Sequence, residues 1–461
     1  MMSVQTGPQG SGLDAVLEVR MAESMVGGVP FRHRSYNGML GGPLFRVRPG
    51  QTWRVRVSNL LEANPDSGHQ PDPNIPHHFN TTNLHTHGFH VDPGGVSDNV
   101  FLRIEPGEFV DYVFEIPANH PAGTYWYHPH KHGAATVQMF SGMAGMIIME
   151  GDIDQVPEIA AAKEVPFIIQ DLQINPEGEV PDYTSKRAFK QDWRVVTVNG
   201  QVRPAFRIRP GEIQRFRTLN STVAWTTPLE VEGHTMHGLA FDGLTYPSVQ
   251  EVQTERLAPG NRFDFLLRGG EPGIYRIVKK QYQQASPAFG PISATPEVHL
   301  ANLVVEGDPV TDMGLPTTLP AVDLPDILPS EVTNQRTVVY KTEFDNGGPS
   351  PEFPDNYTID GMRFDPNHVG QTVALGAVEE WTITNPIDDT EHPFHIHVNP
   401  FQVVAINGQP VTPRWQDTVI LPRGGSATIR TRFEDFKGKF VNHCHMLGHE
   451  DLGMMQVVEV V

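Results

Sequence analysis

Cysteine is nearly missing from this chain. Its single copy, Cys444, in 461 residues excludes an internal disulfide framework, although it does not exclude secretion. A surplus of positive charge is missing too: lysine and arginine number 34 against 54 aspartates and glutamates, a formal net charge of −20. A phosphate backbone is therefore a poor partner, whereas cations and plain solubility are favoured. Long apolar runs are absent. The stretch AGMIIM at 144–149 falls far short of the roughly 20 residues that span a bilayer. The opening MMSVQTGPQGSGLD has neither a basic region nor an apolar stretch, so no signal peptide or membrane anchor is expected in it.

What the chain has in quantity is turn and strand formers. Gly 43 and Pro 41, with many Val, Ile, Thr and Phe, point to short strands joined by turns, and the length calls for more than one domain. A degenerate repeat supplies the division. LFRVRPGQTWRVRVSNL (44–60), AFRIRPGEIQRFRTLNS (205–221) and TVALGAVEEWTITNP (372–386) share an alternating strand, a turn at Gly50, Gly211 or Gly376, and a second alternating strand. A later unit recurs as RIEPGEFVDYVFEIP (103–117), RLAPGNRFDFLLRGG (256–270) and ILPRGGSATIRTRFED (420–435). Period-two patterning of this kind predicts half-buried antiparallel strands in three related β domains near 1–155, 156–315 and 316–461.

The strand after the second unit is where the copies part. The first domain has GTYWYHPHKHG (123–133) and the third GKFVNHCHMLGH (438–449), where the second has GIYRIVKKQ (273–281). Metal-ligand residue types thus occupy equivalent places in domains one and three only, which packing alone does not account for. Four histidine clusters result: His85 and His87 in NLHTHG; His128 and His130 in WYHPH; His392, His395 and His397 in HPFHIH; and His443, His445 and His449 around Cys444. In an extended strand, residues two apart face one way and the residue between them faces the other. Each HxH pair can therefore aim two nitrogens at one metal region while Cys444 aims its sulfur at another, so two coupled sites are expected. Two imidazoles, a thiolate and a distant methionine form a blue-copper electron-transfer set. Zinc is the alternative, but it cannot cycle electrons and leaves the larger histidine array without a role.

In these four ordered motifs the sequence resembles the multicopper oxidases, in particular three-domain bacterial laccases, and the resemblance runs through the whole chain. It implies an all-β chain of three cupredoxin-like Greek-key β-sandwich domains. It also implies four copper ions, one type 1, one type 2 and two type 3. By the same resemblance His392, Cys444, His449 and Met454 are type 1 ligands, and His85 and His395 are type 2 ligands. His87, His128, His130, His397, His443 and His445 are then the type 3 ligands. The implied reaction takes one electron at a time from a phenolic or aromatic donor at type 1 copper, passes it through Cys444 to His443 and His445, and reduces dioxygen to two waters. Asp98, in GGVSDNVF, and Glu450 match acidic residues that relay protons in such enzymes, a task carboxylates perform when their pKa values are tuned.

The same resemblance leaves a cuprous or ferrous donor as the alternative, and a non-catalytic copper-binding protein as a poorer one. A two-domain nitrite reductase fits worse, because three domains and four clusters exceed its needs. It implies a secreted or periplasmic location, with neither nucleic acid nor membrane as partner. His234 and His237 are expected in packing or at the surface of domain two, His77, His78 and His132 near the site or at the surface, and Met139, Met143, Met146 and Met149 in the core. The segment 281–297 is a candidate wall of the donor pocket.

Overall fold

The repeated strand–turn–strand units form the corners of three β-sandwiches in the computed structural model, which describes residues 12–65, 72–181, 183, 193–287, 294–322, 324–343 and 356–461. Their arms are Phe45–Val47 and Thr52–Asn59, Ala205–Ile208 and Ile213–Asn220, and Val369–Val373 and Val378–Asn385. In each case the two arms lie in opposite sheets. The turn glycines take left-handed φ values of 77°, 77° and 81°, a conformation that costs glycine no Cβ clash. Because the chain crosses between sheets here instead of doubling back, the arms pair in parallel with strands from elsewhere. Thr52–Asn59 lies parallel to Ala15–Val26, Ile213–Asn220 to Lys163–Gln173, and Val378–Asn385 to Asn334–Glu343. The sheets are therefore mixed. Alternation reports which face of a strand is buried and carries no information on the direction of its neighbour.

The first sandwich pairs two four-stranded sheets, and the other two each pair a six-stranded with a five-stranded sheet. Alternation builds each core: along Val378–Asn385 every second residue, including Trp381 and Ile383, is buried. Each large apolar side chain so buried contributes about 1.5–3 kcal/mol. A further cluster joins all three sandwiches, with Trp126, Met139 and Met146 from the first, Ile168 and Leu219 from the second and Leu447 from the third. The four methionines at 139, 143, 146 and 149 are all buried, as core residues should be. No helix among the described residues is long and apolar enough to cross a membrane.

This docking brings two sheets of similar strand order together. His85–His87 pairs with Gly123–His128 in the first sandwich, His85 opposite His128. His392–Ile396 pairs with Gly438–Cys444 in the third, His395 opposite His443 and Phe394 opposite Cys444.

Candidate metal centre

Strand alternation separates the twelve candidate ligands into two groups. Cys444 shares a strand face with Phe394 and, diagonally, His392, while His443 and His395 point from the other face. The chain then turns through a short helix, Leu447–Asp451, that returns His449 to the cysteine. Cys444 Sγ lies 3.6 Å from His392 Nδ1 and 3.7 Å from His449 Nδ1, and the two nitrogens are 3.2 Å apart. Met454 is fully buried; its N–H donates to the His449 carbonyl and its own carbonyl accepts from the Cys444 N–H. Burial pushes the Cys444 thiol up and both imidazoles down. A cation is the natural counterweight to that desolvation, since metal ligation requires the thiolate and the neutral ring.

Behind the cysteine, the eight other histidines form one buried cage. Most have one nitrogen committed outward. His85 Nδ1 donates to the Asp98 carboxylate (2.9 Å), His128 Nδ1 to the Pro129 carbonyl (3.0 Å), His395 Nδ1 to the Asp417 carbonyl (2.7 Å) and His443 Nδ1 to the Cys444 carbonyl (3.1 Å). A carbonyl only accepts, so the proton sits on Nδ1 and the Nε2 lone pair faces inward. The Nε2 atoms of His85, His128 and His395 are buried and have no hydrogen-bond partner. The Nε2 atoms of His130 and His443 stand 3.1 Å apart, those of His397 and His443 3.3 Å, and His445 Nε2 is 3.2 Å from His87 Nδ1. Burial lowers the imidazoles of His87, His128, His395, His397 and His445, and those of His130 and His443 to about 3.

Converging lone pairs at such distances repel unless a cation lies among them, and the spacing suits one. Two imidazole nitrogens about 2.0 Å from one ion at a tetrahedral angle stand about 3.3 Å apart; a nitrogen at about 2.0 Å and a thiolate at about 2.3 Å in a trigonal plane stand about 3.7 Å apart. The residues present therefore fit bound metal at both places. His₂Cys with a nearby methionine is the donor set of a copper electron-transfer site.

Both sequence-predicted carboxylates lie at the cage. Asp98 is buried and accepts from His85 Nδ1, from the Thr86 N–H (2.8 Å) and from the Thr86 hydroxyl (3.1 Å). Glu450, also buried, sets its oxygens 3.4 Å from His130 Nδ1 and 3.1 Å from His443 Nδ1, and burial pushes its pKa up. Its neighbour Asp451 has a different task, accepting the Gly133 and Thr136 N–H groups (2.6 and 2.8 Å). The cage has a further carboxylate that sequence reasoning missed, Asp417, 3.1 Å from His87 Nε2.

His234 packs against Tyr275 and hydrogen-bonds the Glu232 carbonyl, His237 faces Glu251, and His132 holds Asn74. None of the three belongs to a metal-sized cluster among the described residues. At the other rim, His449 is half-buried and stacks on Tyr357. Ala285 bridges Thr390, and Tyr282 donates to Glu391 (2.6 Å), beside His392. The near end of segment 281–297 thus abuts the edge of the cysteine site, and its residues 288–293 lie outside those described.

Family models described as multicopper oxidase match residues 75–153, 163–295 and 333–461. The chain is 27% identical to a multicopper oxidase of Staphylococcus aureus over 434 residues, covering 92% of this chain and 83% of that protein. It is 26% identical to a laccase of Bacillus stratosphericus over 94% of this chain and 91% of the relative. In fold it is similar to a multicopper oxidase of Campylobacter jejuni described as a metallo-oxidase, with a TM-score of 0.81 at 24% identity over 99% of this chain and 93% of the other.

Proposed function

Since the chain belongs to the multicopper oxidase family and is an oxidoreductase, we propose that it is laccase-like, coupling one-electron oxidation of phenolic or aromatic donors to four-electron reduction of dioxygen to water. The observation that carries this reading is the continuity of three residues. Cys444 belongs to the trigonal cluster with His392 and His449, while its chain neighbours His443 and His445 belong to the cage. A single stretch of backbone therefore joins the place where electrons enter to the place where oxygen is reduced.

We assign four coppers per chain: type 1 at His392, Cys444, His449 and Met454; type 2 at His85 and His395; the type 3 pair at His87, His128, His130, His397, His443 and His445. The coppers, when bound, supply the redox chemistry. The protein supplies the rest. His449, half-buried as a residue, brings the cysteine site close to the surface where a donor would dock, and burial of the cage keeps bulk water from its inner nitrogens. Asp98 fixes the tautomer of His85 and stands where a proton could pass to the cage, and Glu450, its pKa raised by burial, does so beside His130 and His443. Domain boundaries near residues 155 and 315, and an exported location, complete the reading.

Steady-state oxidation of 2,6-dimethoxyphenol, cuprous ion and ferrous ion at matched oxygen tests it. The phenol should give the highest kcat/KM. A clear preference for either metal ion would replace the laccase reading with that of a metallo-oxidase, the activity described for the Campylobacter jejuni protein.

A further inference from the structure

The second sandwich contributes no histidine to the cage, yet a loop of it lies against the cage wall. A Cβ on Gly260, whose φ is 93°, would stand 3.0 Å from His87 Cε1 and 3.2 Å from His445 Nε2. Two residues on, Arg262 opens the strand Arg262–Arg268 and is fully buried. Its guanidinium uses every N–H it has. Nε donates to the Thr124 carbonyl (3.0 Å), Nη1 to the Gly260 carbonyl (3.1 Å) and Asp417 Oδ1 (2.9 Å), and Nη2 to the Asp242 carbonyl (3.0 Å) and Asp417 Oδ2 (2.6 Å). Thr124 lies in the strand that carries His128, and Asp417 belongs to the third sandwich, so one side chain ties all three together.

Asp417 is the link to the cage. Its Oδ1 also accepts from the Thr418 hydroxyl (3.0 Å) and faces His87 Nε2 at 3.1 Å. Asp242 fixes the same corner from below, its Oδ2 accepting the N–H groups of Asp417 (3.1 Å) and Thr418 (3.2 Å). With Arg262 doubly bonded to it, Asp417 is held as an acceptor, so His87 keeps its proton on Nε2 and turns Nδ1 inward. That is the reverse of His85, His128, His395 and His443, all protonated on Nδ1. A ligand used in the opposite tautomer needs its own outer partner, because the loss of such a partner lets the ring flip or turn.

We propose that Arg262 and Asp417 are positioning residues through which the histidine-free second domain sets the tautomer and orientation of the type 3 ligand His87. The inference rests on the assignment of His87 to the type 3 pair. Loss of an outer-sphere partner typically costs 10–100-fold in metal affinity, and here the loss falls on the trinuclear site and spares the cysteine site.

The test is copper titration of copper-free Arg262→Gln and Asp417→Asn proteins, following the type 1 blue absorption, the type 3 near-ultraviolet band and total copper per chain. Arg217→Gln serves as control: Arg217 is equally buried in the same sheet and paired with Glu164 and Asp264, but does not reach the cage. The expected result is a 10–100-fold weaker filling of the type 3 pair in the first two variants, with type 1 filling unchanged, and in the control no selective loss of type 3. Should Arg262→Gln fail to fold, Asp417→Asn carries the test, since it keeps the size of the side chain and exchanges one acceptor oxygen for an amide nitrogen. Type 3 filling equal to the wild type, or parallel loss of type 1 and type 3, would overturn the proposal. A fully loaded wild type with no type 3 band would instead refute the assignment of His87.

Discussion

Replacing Asp98 with asparagine changes one atom beside the cage and should weaken one copper site. Asp98 Oδ1 accepts the Thr86 N–H at 2.8 Å and its hydroxyl at 3.1 Å, so in the variant that position keeps the amide oxygen. The amide nitrogen then replaces Oδ2, which lies 2.9 Å from His85 Nδ1, and leaves that nitrogen only Oδ1, at 3.0 Å and already shared by both Thr86 donors, as an acceptor. Two N–H groups now face each other. His85 relieves the conflict by moving its proton to Nε2, the buried nitrogen without a hydrogen-bond partner that points into the cage, and a protonated nitrogen cannot bind copper. Losing an outer partner of this kind costs 10–100-fold in metal affinity, about 1.4–2.7 kcal/mol. The assay is copper titration of copper-free wild type and Asp98→Asn followed by electron paramagnetic resonance, with the type 1 signal as internal standard. The type 2 signal should need 10–100-fold more free copper to fill while type 1 fills as before. Equal filling of type 2 in both proteins would refute the argument from tautomer control.

Met454→Leu should keep the cysteine-centred blue site and raise its potential, because the weak axial thioether favours the oxidised ion; each tenfold loss of that preference is worth about 59 mV. Redox titration at matched copper content measures this, and an unchanged or lower potential contradicts the axial assignment. The copper-free protein should lose stability as pH falls below about 6.5. Burial holds the imidazoles of His87, His128, His395, His397, His445 and His449 well below that value in the folded chain, and those of His130 and His443 at about 3, so on acidification only the unfolded chain takes up their protons. The raised carboxyls of Glu255, Glu391, Asp417, Glu450 and Asp451, with Asp417 and Asp451 at about 7, act in the opposite sense, losing their contribution as pH rises, but they are five groups against eight. Urea unfolding at about pH 7 and about pH 5 should therefore show the lower midpoint in acid, and a midpoint that rises on acidification contradicts the burial of neutral histidines.

Local pattern carried most of the candidate site. Alternation within HTH, HIH and HCH forces neighbouring side chains to opposite faces, so the separation of Cys444 from His443 and His445 could be read before any contact was known. The turn glycines were legible for a similar reason, since a corner that needs positive φ leaves a recurrent glycine. Strand direction was not legible: the burial of alternate residues along Thr52–Asn59 looks the same whether its partner Ala15–Val26 runs parallel or antiparallel. The Arg262–Asp417 pair was hidden because its members are 155 residues apart in different sandwiches. Neither RFDF nor QDTV carries a spacing that marks it, and in the strand RFDFLLR the charge of Arg262 does not stand out from those of Asp264 and Arg268.

Oxygen uptake measured against donor oxidised, with peroxide assayed in the same vessel, is the direct test of four-electron dioxygen reduction. With the coppers loaded and a one-electron phenolic donor in excess, one dioxygen should be consumed for every four donor molecules oxidised, with no accumulation of peroxide, if the cysteine-bearing strand feeds a cage that holds the proposed trinuclear cluster. One dioxygen for every two donors with stoichiometric peroxide, or donor oxidation with no oxygen uptake, would contradict it.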